Sequence, residues 1–387
     1  MQNINNRFWL HDFEVYYSAA NSFLQGNQVY GIAYGLPSGF YKYSPFALLI
    51  FVPFSLLPFF TAKVLHYIIL SALIITTIII SDKIIKSNFF SQTLVKKQNL
   101  KLFLIFLPLI PNVYTELHLG NINIILLFVF LLALQKLLSD KYWQAALLIS
   151  IGILVKPHFL IFLPLLLVRK KFKCVYTIIL FLVLGILIPS IFSGFQSNIL
   201  MHKDWIETMQ SHNNSLISGQ NTVFSWLYRS VVQFIFPEAV NYDKLYGFAV
   251  LGMIGIAFLT LLLQHLKHEK VVTAKTELIR KNFILEYLLI LAMIPNLTVT
   301  DSEHFLLSIP LITFIIYFLF EEKISKIVKI FSVLFLIMYG INIHELVGKT
   351  LSAWLTDTGI LGLANIFIIS LCIYLYSIFR KKSLQAN

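Results

Sequence analysis

The sequence predicts an all-α fold, a polytopic transmembrane helical bundle, and three observations carry that prediction. Of the 387 residues, 58% are hydrophobic and only 12% are charged, about half the roughly 25% charge of an ordinary soluble domain. The mean hydropathy is +0.80, and apolar runs such as Val64–Ser81, Thr177–Ile191 and Ile360–Phe379 reach or approach the ~20 residues that cross a bilayer as a helix. Finally, the 30 lysines and arginines are distributed by loop rather than at random.

Taken in order, eleven segments read as crossings: Val64–Ser81, Leu102–Leu117, Ile124–Leu138, Tyr142–Val155, Phe159–Val168, Val175–Ile191, Leu245–Leu263, Phe283–Leu297, Phe305–Phe320, Ile327–Ile341 and Ile360–Phe379. Several fall short of the ~20-residue criterion. The stretch Pro45–Phe60, interrupted by Pro53 and Pro58, reads as an interfacial or re-entrant helix. The whole chain is expected to form a single integral membrane domain: an exterior segment over 1–63, the bundle over 64–379 and a basic tail over 380–387. The two cysteines, Cys174 and Cys372, lie in or beside apolar runs and suggest neither a disulfide framework nor a metal site.

Of the basic residues, 22 lie in one set of alternate loops, running from the Lys83–Lys101 stretch to Arg380–Lys382, and 8 lie in the opposite set. The positive-inside rule places the first set in the cytoplasm. The formal charge of +12 is thus a topological signal, and no nucleic-acid partner is expected. The exterior segments become 1–63, Glu116–Asn123, Lys156–His158, Phe192–Lys244, Thr298–His304 and Asn342–Gly359. Met1–Leu10 holds one positive charge and no apolar run, so it does not read as a signal peptide. An exterior N-terminal segment without an export signal leaves two expectations, a further helix upstream of it, which is favoured, or unaided translocation of the tail.

Polar groups gather on that exterior face, where ionisable side chains at the ends of short helices are functional by default. In His11–Tyr17, Asp12 sits in the first turn of an expected helix. It is either a carboxylate favoured by the helix dipole or a general base in an aromatic pocket. Lys42 and Tyr43, in Gly39–Pro45, are either interfacial residues with a snorkelling lysine or a point charge for a lipid phosphate. Glu116, Asn121 and Asn123 occupy a turn between two apolar helices; Gly120-Asn121 suits a helix C-cap, which leaves Glu116 and His118 less easily explained. Lys156 and His158 flank Pro157 between two short helices, a cation and an imidazole placed to cradle phosphate beside a helix N-terminus. Gln220 and Asn221 belong to a loop dense in amides, hydroxyls and aromatics, a composition shared by sugar-contacting and disordered loops. In Thr298–His304, Asp301 or Ser302 suits a helix cap with Glu303 in the first turn, while His304 stands at the mouth of an apolar helix.

No phosphate-binding loop, dinucleotide glycine fingerprint, HExxH, GxSxG or cysteine cluster occurs. No DxD pair accompanies the first loop, so neither a cofactor nor a metal requirement is assigned.

The ordered set Asp12-Phe13-x-Val15-Tyr16-Tyr17-x-Ala19-Ala20, Tyr41-Lys42-Tyr43-Ser44-Pro45, Gly120-Asn121-x-Asn123, Lys156-Pro157-His158 and Asp301-Ser302-Glu303-His304-Phe305 resembles glycosyltransferase family 87. These enzymes have the GT-C fold and are similar to polyprenyl-phosphate-mannose-dependent α-mannosyltransferases. The resemblance implies a multi-pass protein of the cell membrane with its catalytic face on the non-cytoplasmic side. It implies a polyprenyl-phosphate sugar donor, a glycolipid or glycan acceptor and inverting transfer of a hexose, mannose being the family's best-known case. An acidic residue of the first exterior loop acts as base in the family, which maps onto Asp12; the exterior histidine near the later helices maps onto His304. Lys42, Lys156, His158 and His304 become candidates to neutralise the departing lipid phosphate. Members normally begin with a transmembrane helix before the acidic loop, whereas this chain starts within it. Two other classes share features of the pattern: a transporter, which would place substrate polarity near the bilayer midplane, and a polymerase or ligase using polyprenyl-diphosphate-linked oligosaccharide.

Overall fold

The computed structural model describes residues 8–37, 39–90, 97–215, 276–297 and 301–385. Among the described residues the regular structure is helical, and the pairing of Ala33 with Phe40 is an isolated antiparallel bridge. Ten of the eleven predicted segments fall within helical runs; Leu245–Leu263 lies outside the described residues. Among the described residues, five runs are long and apolar enough to span a bilayer by length and composition: Phe59–Phe89, Gln98–Leu119, Phe172–Ser193, Ser302–Glu321 and Ile360–Arg380.

The helices begin with α1 (His11–Leu24), α2 (Pro45–Ser55) and α3 (Phe59–Phe89). The break in the predicted Pro45–Phe60 stretch falls before Phe59, and Pro53 lies inside α2. Helix α3 overruns the apolar segment at both ends because charge ends a hydrophobic run without ending a helix; lysine is a good helix former. Two of its charged residues, Lys63 and Asp82, find partners. Lys63 Nζ donates to the Phe8 carbonyl at 2.7 Å and lies over the Phe8 and Phe59 rings, and Asp82 accepts hydrogen bonds described below. Next come α4 (Gln98–Phe106) and α5 (Ile110–Leu119), joined through a 3-10 turn at Leu107–Leu109 that accommodates Pro108, whose nitrogen has no hydrogen to donate. They are followed by α6 (Asn123–Leu138), α7 (Tyr142–Val155), α8 (Phe162–Val168), α9 (Phe172–Leu187), α10 (Ser190–Ser193) and α11 (Phe195–Ser215). The stretch Asn342–Gly359, expected as an exterior connection, contains the helix His344–Asp357, kinked where Gly348 takes φ 78°.

Two compact units emerge, one from residues 1–75 and 114–215, the other from 76–113 and 216–387. In the first, α6, α7 and α9 pack side by side. Gly185 makes the α7–α9 approach possible, because a Cβ there would lie 2.2 Å from Leu154 Cδ1; small residues let helix backbones come close where burial from water is not the driving force. Phe13 of α1 stacks on His66 at 4.3 Å and meets Phe54 edge-on at 5.6 Å, which fixes α1 against α2 and the start of α3.

In the second unit the run Ser302–Glu321 is the core helix, apolar and buried on nearly all sides. Asn365 crosslinks three segments: it accepts from the Ser308 hydroxyl at 2.5 Å and donates to the Ala292 carbonyl at 2.7 Å. A polar clasp closes one end. The Tyr317 hydroxyl donates to Asp82 at 2.6 Å, Gln98 Nε2 donates to the same carboxylate at 2.9 Å, and the fully buried Lys101 pairs with Glu321 while lying 4.5 Å from the Tyr317 ring centroid. Lys101→Met is expected to cost about 3–5 kcal/mol, because removing one partner strands the other charge. The double variant Lys101→Met, Glu321→Leu should recover much of that loss. Thermal unfolding in detergent measures both, and a single variant as stable as the parent would show the pair to be idle.

Candidate functional site

The first unit brings six of the sequence-predicted residues, Asp12, Tyr43, Glu116, Asn121, Asn123 and Lys156, together at one turn. Helix α1 begins sharply: Leu10 takes a left-handed conformation at φ 48° and its N–H donates to the His118 carbonyl at 3.1 Å. Asp12 follows in the first turn, where the helix dipole favours a carboxylate. Its Oδ2 accepts from Asn121 Nδ2 at 2.7 Å. The other end of the Asn121 amide is equally engaged: Oδ1 accepts from the Ile122 N–H at 2.7 Å, and from the Tyr16 and Tyr43 hydroxyls at 3.4 Å each. Those two phenols lie 3.0 Å apart.

Two residues further along, Asn123 does for a cation what Asn121 does for the acid. Pro157 disfavours the helical conformation at the residue before it, so α7 stops at Val155 and Lys156 is extended at φ −130°, ψ 102°. Its Nζ donates to Asn123 Oδ1 at 2.7 Å, and its position 5.7 Å from the Tyr43 ring centroid adds a cation–π contact. Lys156 is only 7% exposed. Asn123 is itself held, because its Nδ2 donates to Glu116 Oε2 at 3.1 Å, while Glu116 Oε1 accepts the Ile124 N–H at 2.8 Å. The fully buried Glu116 thus satisfies one of the amides left open at the start of α6 and helps to hold the turn.

The turn can take this shape because Gly120 adopts φ 69°, and a Cβ at that position would sit 3.0 Å from Phe13 Cβ. His66, buried in α3, lies with Nε2 2.9 Å from the Gly120 carbonyl. A carbonyl only accepts, so Nε2 carries the proton. Burial lifts the Tyr16 phenol well above its usual pKa, and the neighbouring Tyr43 and Asp12 push in the same direction; Tyr41, buried at the same wall, is raised for the same first reason. Both phenols stay neutral near pH 7.

The Tyr41–Ser44 strand of chain is fastened largely through its backbone. Tyr30 donates to the Tyr43 carbonyl at 2.9 Å, Trp205 Nε1 donates to the Lys42 carbonyl at 3.0 Å, and the Ser44 hydroxyl bonds the Leu154 carbonyl. Lys42 and Tyr43 are half-buried. His158 occupies the 3-10 turn Pro157–Ile161, half-exposed, with its ring 4.7 Å from that of Phe159. His304 belongs to the second unit, where its Nδ1 is 3.3 Å from Oε1 of the fully buried Glu303. The 3-10 helix Ser302–Ser308 starts after Asp301, whose side chain makes no cap hydrogen bond. Gln220 and Asn221 lie outside the described residues.

Sequence reasoning passed over Tyr16 and His66. Tyr16 carried a usable signal, being four residues after Asp12 and so on the same helix face. A lone histidine within an apolar run, such as His66, was another. Chemically, the arrangement offers a half-buried carboxylate and a buried ammonium held on a common turn by two side-chain amides. Such a pair can accept a proton at one point and balance anionic charge at another.

Comparison with known proteins follows the same residues. A model of glycosyltransferase family 87 matches residues 40–279, which include Lys42, Tyr43, Glu116, Asn121, Asn123, Lys156 and His158 but neither Asp12 nor His304. An alpha-(1->3)-arabinofuranosyltransferase of Corynebacterium glutamicum is 30% identical over 183 residues, covering 47% of this chain and 41% of that protein. The match therefore spans less than half the length of that relative. No solved structure matches the chain. With the family match extending over well more than half of its length, the chain belongs to glycosyltransferase family 87.

Proposed function

We infer that this membrane protein transfers a sugar from a polyprenyl-phosphate carrier to a glycolipid or glycan acceptor, with inversion, on the non-cytoplasmic face of the cell membrane. The observation that carries the reading is the Asn121–Asn123 turn, which holds the Asp12 carboxylate and the Lys156 ammonium through two amides. Asp12 takes the proton from an acceptor hydroxyl as that oxygen bonds to the anomeric carbon. The bond from the anomeric carbon to the phosphate oxygen breaks, and the leaving lipid phosphate gains the negative charge that Lys156 offsets. Preorganised charge of this kind is the largest single contribution in many enzymes. Lys42, Tyr43 and His158 lie in the same unit as further substrate contacts, and His304 is a second catalytic candidate carried by the other unit.

The sugar is a hexose, mannose first, by the resemblance in the motifs; the arabinofuranosyl activity in the name of the Corynebacterium relative makes a pentofuranose the alternative. Purified protein is to be offered radiolabelled mannose on polyprenyl phosphate, arabinofuranose on the same carrier, and the corresponding sugar nucleotides. Label is expected in a glycosylated acceptor from one of the carrier-linked donors. Product formed only from nucleotides would overturn the donor class, and uptake into vesicles without covalent product would favour a transporter.

A further inference from the structure

Helix α11 presents three distinct faces. At about 100° per residue, Asn198, Met201, Trp205 and Thr208 share one side, and these positions are buried or half-buried. Asn198 Nδ2 donates to the Ile186 carbonyl at 2.9 Å and to Ser190 Oγ at 2.8 Å, and Trp205 reaches the Lys42 carbonyl. Next to that packed side runs an exposed apolar stripe: Phe195, Ile199 and Ile206 are 63%, 47% and 51% exposed. Beyond it lie Gln196, Lys203 and Glu207, all exposed, with Lys203 and Glu207 forming a solvated pair at 3.9 Å. Leu200 is the apolar exception on this third side.

The order of the faces matters. A helix standing in water would put polar residues over its whole exposed surface, and one buried in the bilayer would have none. Here the apolar stripe is set between the packed face and the polar face, the pattern of a helix lying in a membrane interface. The stripe also continues an exposed apolar surface. Helix α9 belongs to a run apolar and long enough to cross a bilayer, with Tyr176, Leu180 and Val183 exposed along it. That surface passes through Ile191 and Phe192, 79% and 60% exposed, into Phe195.

We propose that α11 lies in the plane of the membrane surface at the Ser193 end of α9, with Phe195, Ile199 and Ile206 among the acyl chains and Lys203 and Glu207 toward water. Its occupant is a lipid surface. The link to the site is the Trp205 hydrogen bond to the Lys42 backbone, which registers the Tyr41–Tyr43 segment to the level of the headgroups. The surface itself stands apart from the proposed activity; only this consequence rests on it.

The full chain, reconstituted in phosphatidylcholine/phosphatidylglycerol vesicles, is to carry one nitroxide at Phe195→Cys, Ile199→Cys, Ile206→Cys or Lys203→Cys. Cys174 and Cys372 are buried, and unsubstituted protein taken through the same labelling supplies the background. Relaxation by molecular oxygen should exceed that by a water-soluble nickel chelate severalfold at the three apolar positions, and the order should reverse at Lys203. Nickel dominating at all four would put the helix in water and overturn the proposal. Neither reagent reaching Phe195, Ile199 and Ile206 would mean that protein covers them, which also overturns it. No sugar transfer enters the readout, so its failure is distinguishable from failure of the activity.

Discussion

Asp12→Asn is expected to lower sugar transfer by about 10²–10⁴-fold, the range general base catalysis supplies, with donor KM little changed. The variant is a clean probe because the side chain keeps its shape and one carbonyl oxygen. That oxygen can still accept the Asn121 amide at the place where Oδ2 accepts it at 2.7 Å, so α1 and the turn should retain their positions. What is lost is the ability to take a proton. Thermal unfolding in detergent should match the parent, which separates a chemical defect from a folding one. Full transfer by the variant would remove Asp12 from the base role and turn attention to the His304–Glu303 pair of the second unit.

The second large effect is expected at Lys156. Lys156→Met keeps the length and the apolar stem but removes the ammonium, and turnover should fall about 10²–10³-fold if that charge meets the leaving phosphate. Stability should fall as well, because Asn123 Oδ1 loses its 2.7 Å donor in a place nearly closed to water, a loss of about 1–3 kcal/mol. Two controls separate these effects. Asn123→Ala also disrupts the hydrogen bond, yet leaves the ammonium present, so its turnover should fall less than that of Lys156→Met. Lys156→Arg restores charge in a planar fork that does not fit the same point contact, so only partial recovery is expected. Equal turnover in Lys156→Met and the parent, measured at saturating donor, would exclude the lysine from the reaction.

The helical bundle was legible because apolar runs long enough to span a bilayer have few other fates, and ten of the predicted runs lie in helices. Their limits were less legible. The lysines at 63, 83 and 86 mark where α3 leaves apolar surroundings, and the helix runs past them to Phe89 because helix propensity does not stop at a charge. Within the site, the residue types were readable and the partnerships were not. Glu116 stood out as an ionisable group at the end of an apolar run. That its two oxygens serve a turn seven and eight residues later depends on how Gly120 folds the chain back. Likewise the Lys156–Asn123 bond spans 33 residues, a separation over which periodicity carries no information. His66 went unread for a related reason: its partner is a backbone carbonyl, which no side-chain motif announces.

The distance along the chain between Asp12 and the amide that holds it, 109 residues, has a consequence for biogenesis. A ribosome makes the carboxylate early and its anchor only after α2, α3, α4 and α5 have been synthesised. Closing so long a loop costs little more than closing one half its length, since the entropy grows only with the logarithm of length. Its formation is delayed all the same, because contacts distant in sequence form late. During that interval the growing chain already carries its acidic residue, but the hydrogen-bonded arrangement around it does not yet exist. The arrangement is completed only when the Gly120–Asn123 turn has been made, because Asn121 supplies the amide that Asp12 accepts.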